Sequence, residues 1–371
     1  MKPEFLDSVI KPTLLLDEDK ARHNLHRMAH KAAEQRVRFR PHFKTHQSAT
    51  IGSWCREFGV DAITVSSLDM ASYFARHGWQ DILVAFPVNL REIKTIQELA
   101  GRLRLGLLVE SLVSVEFLRA HLNTHVDLYI EIDTGMHRAG LEVSDVTGVR
   151  KMVESIGSNS NLRLRGLLTH AGQTYHAGSP QEAMQMYADS CAALGRLRDQ
   201  LASFGINGLE ISVGDTPGCW LSEHLGDVDE IRPGNFLFFD AMMADLGVCS
   251  LDEVAVAVAC PLVALYPHRK EALIYGGGVH LSKEMLIHEG QPCYGYLALH
   301  SDTGWRPLAR ANHVRSLSQE HGILCLEPEV FSQFKVGDIA LVLPVHSCLA
   351  VDALGSYQTL DGQRISTRLG K

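Results

Sequence analysis

Nowhere in the 371 residues is there an apolar run long enough to cross a bilayer, so a helical membrane span is excluded. The start, Met1-Lys2-Pro3-Glu4-Phe5, has no apolar leader core, and a cytoplasmic protein is the expectation. Basic clusters are missing too. With a net charge of −8 and a pI near 6.2, a nucleic-acid polyanion is excluded as the main partner. The eight cysteines are scattered without framework spacing, which argues against a disulfide scaffold and for buried thiols in a reducing compartment. No P-loop or dinucleotide fingerprint occurs; Gly276-Gly277-Gly278 follows a strand-like run but opens no clear helix. Low-complexity linkers and internal repeats are also lacking.

What is present is an ordinary globular composition, 46% hydrophobic and 21% charged, in a chain longer than one core usually fills, so two domains are expected. Apolar runs at Thr13–Asp17, Val37–Arg40, Ala62–Ser66, Asp81–Pro87, Leu103–Val109, Asp127–Ile132, Leu162–Leu168 and Leu209–Val213 are separated by helix-sized intervals. The clearest helix starts at Ser179-Pro180, carries Met184, Tyr187, Cys191, Leu194, Leu197 and Leu201 on one face, and stops at Gly205. About eight such units fit an α/β chain folded as a (β/α)8 barrel, with a doubly wound sheet as the alternative. Beyond Asp240–Ser250 the texture changes to short β-rich runs, an all-β domain. The division expected is residues 1–245 for the barrel, whose extreme N-terminus can join the β domain, and 246–371 for the rest.

The stretch that organises the chemistry is Val37-Arg38-Phe39-Arg40-Pro41-His42-Phe43-Lys44-Thr45-His46. Pro41 ends the strand, which leaves Lys44 at its carboxyl end, where α/β proteins hold their reacting groups. Neighbouring positive charge, here expected from Arg40, His42 and His46, together with desolvation makes an amine give up its proton more readily. A neutral amine is what imine chemistry requires. Loops after later strands carry Arg138, His170 and Tyr175, and the glycine turns Gly214-Asp215-Thr216 and Gly234-Asn235. Their backbone amides, with the Thr216 hydroxyl, suit a phosphate. Lysine plus phosphate cradle points to pyridoxal 5′-phosphate (PLP). Near the C-terminus, His346 and Cys348 stand two apart on what reads as a strand, so both side chains face one way. Imidazole and thiolate suit zinc, and with no second ligand pair the site would be open rather than structural.

These motifs, in this order, resemble the D-threonine aldolase/D-serine dehydratase family of fold-type III, alanine-racemase-like PLP enzymes. The marks are Arg40–His46, Asp133-Thr134-Gly135-Met136-His137-Arg138-Ala139-Gly140, Thr169–Tyr175, Gly214–Pro217, Arg232–Asn235, Gly276–His280 and His346–Cys348. The resemblance implies a PLP barrel, a β domain and a homodimer. It implies that Lys44 anchors the cofactor and is the base at Cα, with Arg138 at the phenolic oxygen, His170 on the ring face and Tyr175 at the pyridine nitrogen. Gly214, Thr216, Gly234 and Asn235 would hold the phosphate, and His346 with Cys348 a divalent metal. A histidine–cysteine pair is similar to the dehydratases, whereas aldolases tend to carry aspartate at the second position. The expected activity is therefore dehydration of a D-3-hydroxy amino acid such as D-serine to a keto acid and ammonia. The alternatives are a D-threonine aldolase, an amino-acid racemase drawing a second base from Tyr266, Tyr275, Tyr294 or Tyr296, and a non-catalytic PLP carrier, which would be a barrel alone.

Overall fold

The structure is a computed structural model that describes residues 4–157 and 160–370; Met1–Pro3 of the leader reading lie outside the described residues. The chain divides into two compact units. One comprises Arg27–Lys44 and Gly52–Gly234; the other comprises Met1–His26, Thr45–Ile51 and Asn235–Lys371.

The first unit is a parallel barrel. Its strands run in the order Arg38–Phe39, Glu230–Ile231, Glu210–Val213, Leu162–Thr169, Val126–Asp133, Arg104–Val109, Asp81–Pro87 and Ile63–Val65. The ring closes through a parallel bridge between His42 and Thr64, where the Thr64 amide donates to the Pro41 carbonyl (3.0 Å) and Phe43 donates to the Thr64 carbonyl (2.9 Å). Strands such as Val126–Asp133 are buried along their whole length, as expected of parallel strands covered on both faces. The interior holds Leu83, Leu108, Tyr129 and Leu168 as one apolar layer. The helix read from Ser179-Pro180 spans Pro180–Ser203. Ser179 caps it by accepting from the Glu182 amide, and Gly205 follows at φ +85°, a left-handed conformation that glycine adopts without strain.

Eight barrel strands are present, but not the eight expected. Thr13–Leu16 pairs antiparallel with Val256–Tyr266 and parallel with Ser356–Thr359, in the other unit. A short run of Leu is buried on both faces in either sheet, so its pattern could not name its partner. The place it vacates is filled by Glu230–Ile231, two residues beginning with a charged side chain, which carry no strand pattern.

The second unit is built on a mainly antiparallel sheet. It includes Val256–Tyr266, Glu271–Tyr275, Gly295–Ser301, His313–Leu317, His321–Cys325 and Ile339–Pro344, as the β-rich runs anticipated. One reading fails: the strand ends at Pro344, and His346 and Cys348 do not lie on it. Ser347–Leu354 is a helix with His346 as its extended N-cap residue (φ −133°, ψ 106°). Pro344 has no amide proton to extend the ladder, and the small apolar residues after it favour a helix. Among the described residues no helix is long and apolar enough to cross a membrane.

Candidate active site

In the barrel unit the Arg38–Phe39 strand continues its ladder to His42, whose amide donates to the Pro233 carbonyl at 2.9 Å. The chain then turns. Phe43 goes inward, 1% exposed, with its ring edge-on to Phe74 and Trp79 at 4.9 and 5.2 Å. That anchor leaves Lys44 beyond the carboxyl end of the strand, as expected, but exposed rather than desolvated.

The charges around the amine are not those the sequence suggested. Arg40 turns away into the barrel, where its guanidinium donates to Glu230 (2.6 Å) and Asp81 (2.7 Å). His42 and His46 are not cations. Burial first, then the charges of Lys44 and Arg232, hold the His42 ring well below the usual imidazole range. Burial likewise takes His46, in the other unit, down to about 3, with its Nδ1 accepting from the Ser48 amide at 3.1 Å. Their motif looked cationic because spacing does not report burial. The arginines whose charge acts on the His42 and His170 rings are Arg138 and Arg232, far along the sequence.

His170 stands at the end of the Leu162–Thr169 strand, and its Nδ1 donates to the Gly214 carbonyl. Burial and the charge of Arg138 bring this ring down to about 3, so it is neutral. Tyr175 is close by, its ring centroid 6.1 Å from that of His170. Its hydroxyl accepts from the Thr216 amide at 3.1 Å. Asp215 sets this corner. It caps the helix Thr216–Leu221 by accepting from Gly218, and the same oxygen accepts from the Thr174 hydroxyl (3.0 Å). Buried throughout, its carboxyl is pushed up to about 7. Gly214 has no room for a side chain: a Cβ would come within 2.9 Å of Arg232 Cβ and 3.1 Å of its carbonyl oxygen. Arg232 is itself buried and donates through Nε to Ser212 (2.8 Å). Gly234 is the last residue of this unit.

Arg138 makes no ion pair among the described residues. Asp133 instead accepts from the amides of Gly135 (2.9 Å) and His137 (3.0 Å) and shapes the loop. Arg138 and His170 line a small open depression together with Glu131, Asp133, Met136 and Thr169. A reachable amine, a neutral imidazole and the guanidinium of Arg138, which makes no ion pair among the described residues, suit an anionic aromatic aldehyde, so these residues fit PLP. Asp133, His137 and Glu142 also gather ligand-capable atoms within 4.8 Å, but two of the three residues are exposed.

In the β unit, the Asn235 side chain is engaged within the fold and leaves the phosphate reading where it was made, on the backbone amide. The side-chain nitrogen donates to Asp240 (2.8 Å) and the side-chain oxygen accepts from the Ser347 hydroxyl (2.7 Å). Only its backbone remains for an anion. Asp240 caps Ala241–Asp245 and accepts from the Ser347 amide (3.1 Å), which fixes the turn between His346 and Cys348. Against the effect of burial, Cys348 and Glu284 hold the His346 imidazole above its ordinary range, so the two side chains lie within interaction distance despite the lost strand. Cys348 Sγ also donates to the Thr45 hydroxyl at 3.4 Å. His346 Nδ1 bonds Glu284 at 2.8 Å. An imidazole and a thiol within reach of one another fit a zinc-like cation. Asp215 and Asp240 could have been found as helix caps; Glu284, 62 residues from its partner, left no signal.

Comparison with known proteins now bears on this geometry. Residues 16–242 match the family model "Alanine racemase, N-terminal domain", and 255–360 match "Putative serine dehydratase domain". The chain belongs to the alanine racemase N-terminal domain family. Within it, the chain is 30% identical to a D-threo-3-hydroxyaspartate dehydratase of Delftia sp., over 94% of this chain and 93% of that protein. It is 26% identical to a D-serine dehydratase of Dictyostelium discoideum, over 96% and 94%. A solved D-threo-3-hydroxyaspartate dehydratase, a cysteine-to-alanine mutant in the metal-free form, superposes with a TM-score of 0.90 at 27% identity, over 98% of both chains. The resemblance read from the motifs is thus borne out, as is the fold: a fold-type III chain of the D-threonine aldolase/D-serine dehydratase group.

Proposed function

We propose that this protein is a PLP- and metal-dependent lyase that dehydrates a D-3-hydroxy amino acid, with D-serine and D-threo-3-hydroxyaspartate as the leading substrates. The observation that carries the reading is the exposed amine of Lys44 at a barrel strand end in a family whose full-length relatives are named dehydratases.

Bound PLP supplies an electron sink for charge developing at Cα, and a divalent cation, zinc by its donor set, supplies a Lewis acid for a departing hydroxyl. The residues do the rest. Lys44 would hold the cofactor through Nζ, and the same amine would serve as the base for the Cα proton. His170 packs its neutral ring against the cofactor, with its orientation set by the Gly214 carbonyl. Tyr175 offers its hydroxyl proton to the pyridine nitrogen, and Arg138 approaches the phenolic oxygen. Gly214, Thr216 and Gly234, with the backbone of Asn235, bind the phosphate. His346 and Cys348 hold the metal. The assembly is a homodimer, and the compartment is the cytoplasm.

The test has two stages. The purified protein is expected to show an imine absorption band that borohydride abolishes and Lys44→Ala removes, with about one equivalent of metal. Incubation with D-serine, D-threonine and D-threo-3-hydroxyaspartate is then expected to yield ammonia and keto acid. Glycine plus aldehyde would make it an aldolase, and solvent-deuterium exchange at Cα of L- and D-alanine without elimination a racemase. Absence of any imine band would overturn the reading altogether.

A further inference from the structure

Glu284 is absent from every motif described above, yet its carboxylate bonds directly to one member of the candidate metal pair. Its Oε2 lies 2.8 Å from His346 Nδ1. A carboxylate only accepts, so the proton of this bond sits on Nδ1, and Nε2 is the nitrogen left for a cation to claim. Glu284 is not itself a third ligand in this arrangement. Among the described residues, its carboxylate, His346 and Cys348 do not gather ligand atoms within 4.8 Å of one another.

The local chain is built to present this carboxylate. After the short helix Gly278–Leu281, Ser282 takes φ +70° and its hydroxyl accepts from the Glu284 amide at 3.2 Å. Ring orientation is fixed from the other side as well, because Asp240 pins the amide of Ser347, the residue that follows His346. The side chains of Glu284 and His346 remain 43% and 29% exposed, so the bond contributes little to fold stability. Its effect is on direction: it selects one tautomer of one ring.

We infer that Glu284 is a positioning residue that holds His346 as the Nδ1–H tautomer and aims Nε2 at the metal. This rests on the reading that His346 and Cys348 bind a divalent cation. Outer partners of ligating histidines orient the ring and raise its basicity, and their loss weakens metal binding by about 10- to 100-fold.

The experiment is a zinc titration of the full-length protein against a chromophoric chelator, with the Co²⁺-substituted absorption spectrum as second readout. Glu284→Ala is expected to weaken zinc binding by about 10- to 100-fold and to shift the cobalt bands. Glu284→Gln keeps an acceptor oxygen and is expected to recover most of the affinity. His346→Ala and Cys348→Ala are expected to abolish binding, and a far-UV spectrum shows that each variant is folded. Glu284→Ala binding zinc within twofold of the parent, while His346→Ala does not, would overturn the positioning role and leave the metal reading standing. Glu284→Gln losing as much as Glu284→Ala would assign the effect to charge and overturn the tautomer argument. A parent protein that binds no zinc would overturn the metal reading and this inference with it.

Discussion

Replacing Arg40 with methionine separates two accounts of the residue. If its charge acts on Lys44, as the motif suggests, the variant keeps its stability and loses reactivity at the amine. If it belongs to the barrel interior, the variant loses stability. The side chains of Arg40 and Glu230 are each 2% exposed and 2.6 Å apart, and Asp81, 16% exposed, lies 2.7 Å from the guanidinium. Methionine replaces the stem without opening a large cavity, so the main loss is electrostatic. Removing one partner of a buried pair costs about 3–5 kcal/mol, because the other charge stays buried. Arg38 remains 3.8 Å from Glu230 and 3.0 Å from Asp81, and the Ser212 hydroxyl still donates to Glu230 at 2.7 Å. That compensation places the expected cost at the low end, about 3 kcal/mol. Urea unfolding followed by far-UV circular dichroism reads it, with borohydride trapping of the Lys44 imine as the control for reactivity. The double variant Arg40→Met/Glu230→Leu is expected to be more stable than Arg40→Met, since it removes the stranded charge. A loss below about 1 kcal/mol, or a double variant worse by the sum of the single effects, would refute the reasoning.

Gly214→Ala puts a Cβ 2.9 Å from Arg232 Cβ and is expected to lower PLP affinity at least tenfold, measured by cofactor titration, while Gly205→Ala, strained only by its positive φ, affects stability alone. Asp215 has a folded-state value of about 7 against an ordinary 3.8, so the folded protein holds the extra proton between those values. Stability contributed by that proton is present below about pH 4 and declines until about pH 7, by at most about 4 kcal/mol. Asp215→Asn, which keeps the acceptor oxygen, is expected to flatten the urea midpoint across that window; an unchanged slope would contradict it. Asp81 and Asp127 move the other way. Burial would raise them, but Arg40 for the first and Arg163 and Arg104 for the second hold both below 3.8. Their stabilisation is therefore complete above about pH 4 and lost on further acidification, visible as an acid unfolding transition that Arg163→Gln shifts to higher pH.

Much of this was legible in the chain, and what was not has a physical cause. Buried runs such as Asp127–Ile132 and Leu162–Leu168 announce parallel strands because both faces are covered. Thr13–Leu16 was as visible, but burial on both faces says nothing about which sheet supplies the neighbours. Glu230–Ile231 was invisible because two residues make no period, and the ladder is set by Arg38–Phe39 and Glu210–Val213 on either side. At the site, the residue types were readable from local motifs. Their electrostatics were not: Arg40 is claimed by Glu230, 190 residues away, and the imidazoles of His42 and His46 are silenced by burial. The His346–Cys348 pair converges for a reason other than the alternation of a strand. An extended cap residue followed by the first helical turn brings the two side chains together just as well.

One device recurs in both units. Asp215 caps Thr216–Leu221 and, with the same oxygen, receives the hydroxyl of Thr174, the neighbour of Tyr175. Asp240 caps Ala241–Asp245 with one oxygen and, with the other, receives the Ser347 amide between His346 and Cys348. Each is an aspartate whose capping geometry is rigid because the backbone amide it satisfies has no other partner in a helix that short. A loop bonded to such a carboxylate inherits its fixed position. Each of these two helices is only one or two turns long, and besides packing its own buried residues it holds a loop through its cap. Holding a functional side chain precisely calls for such fixed points. Chain segments without a strand or long helix of their own obtain them here from a cap.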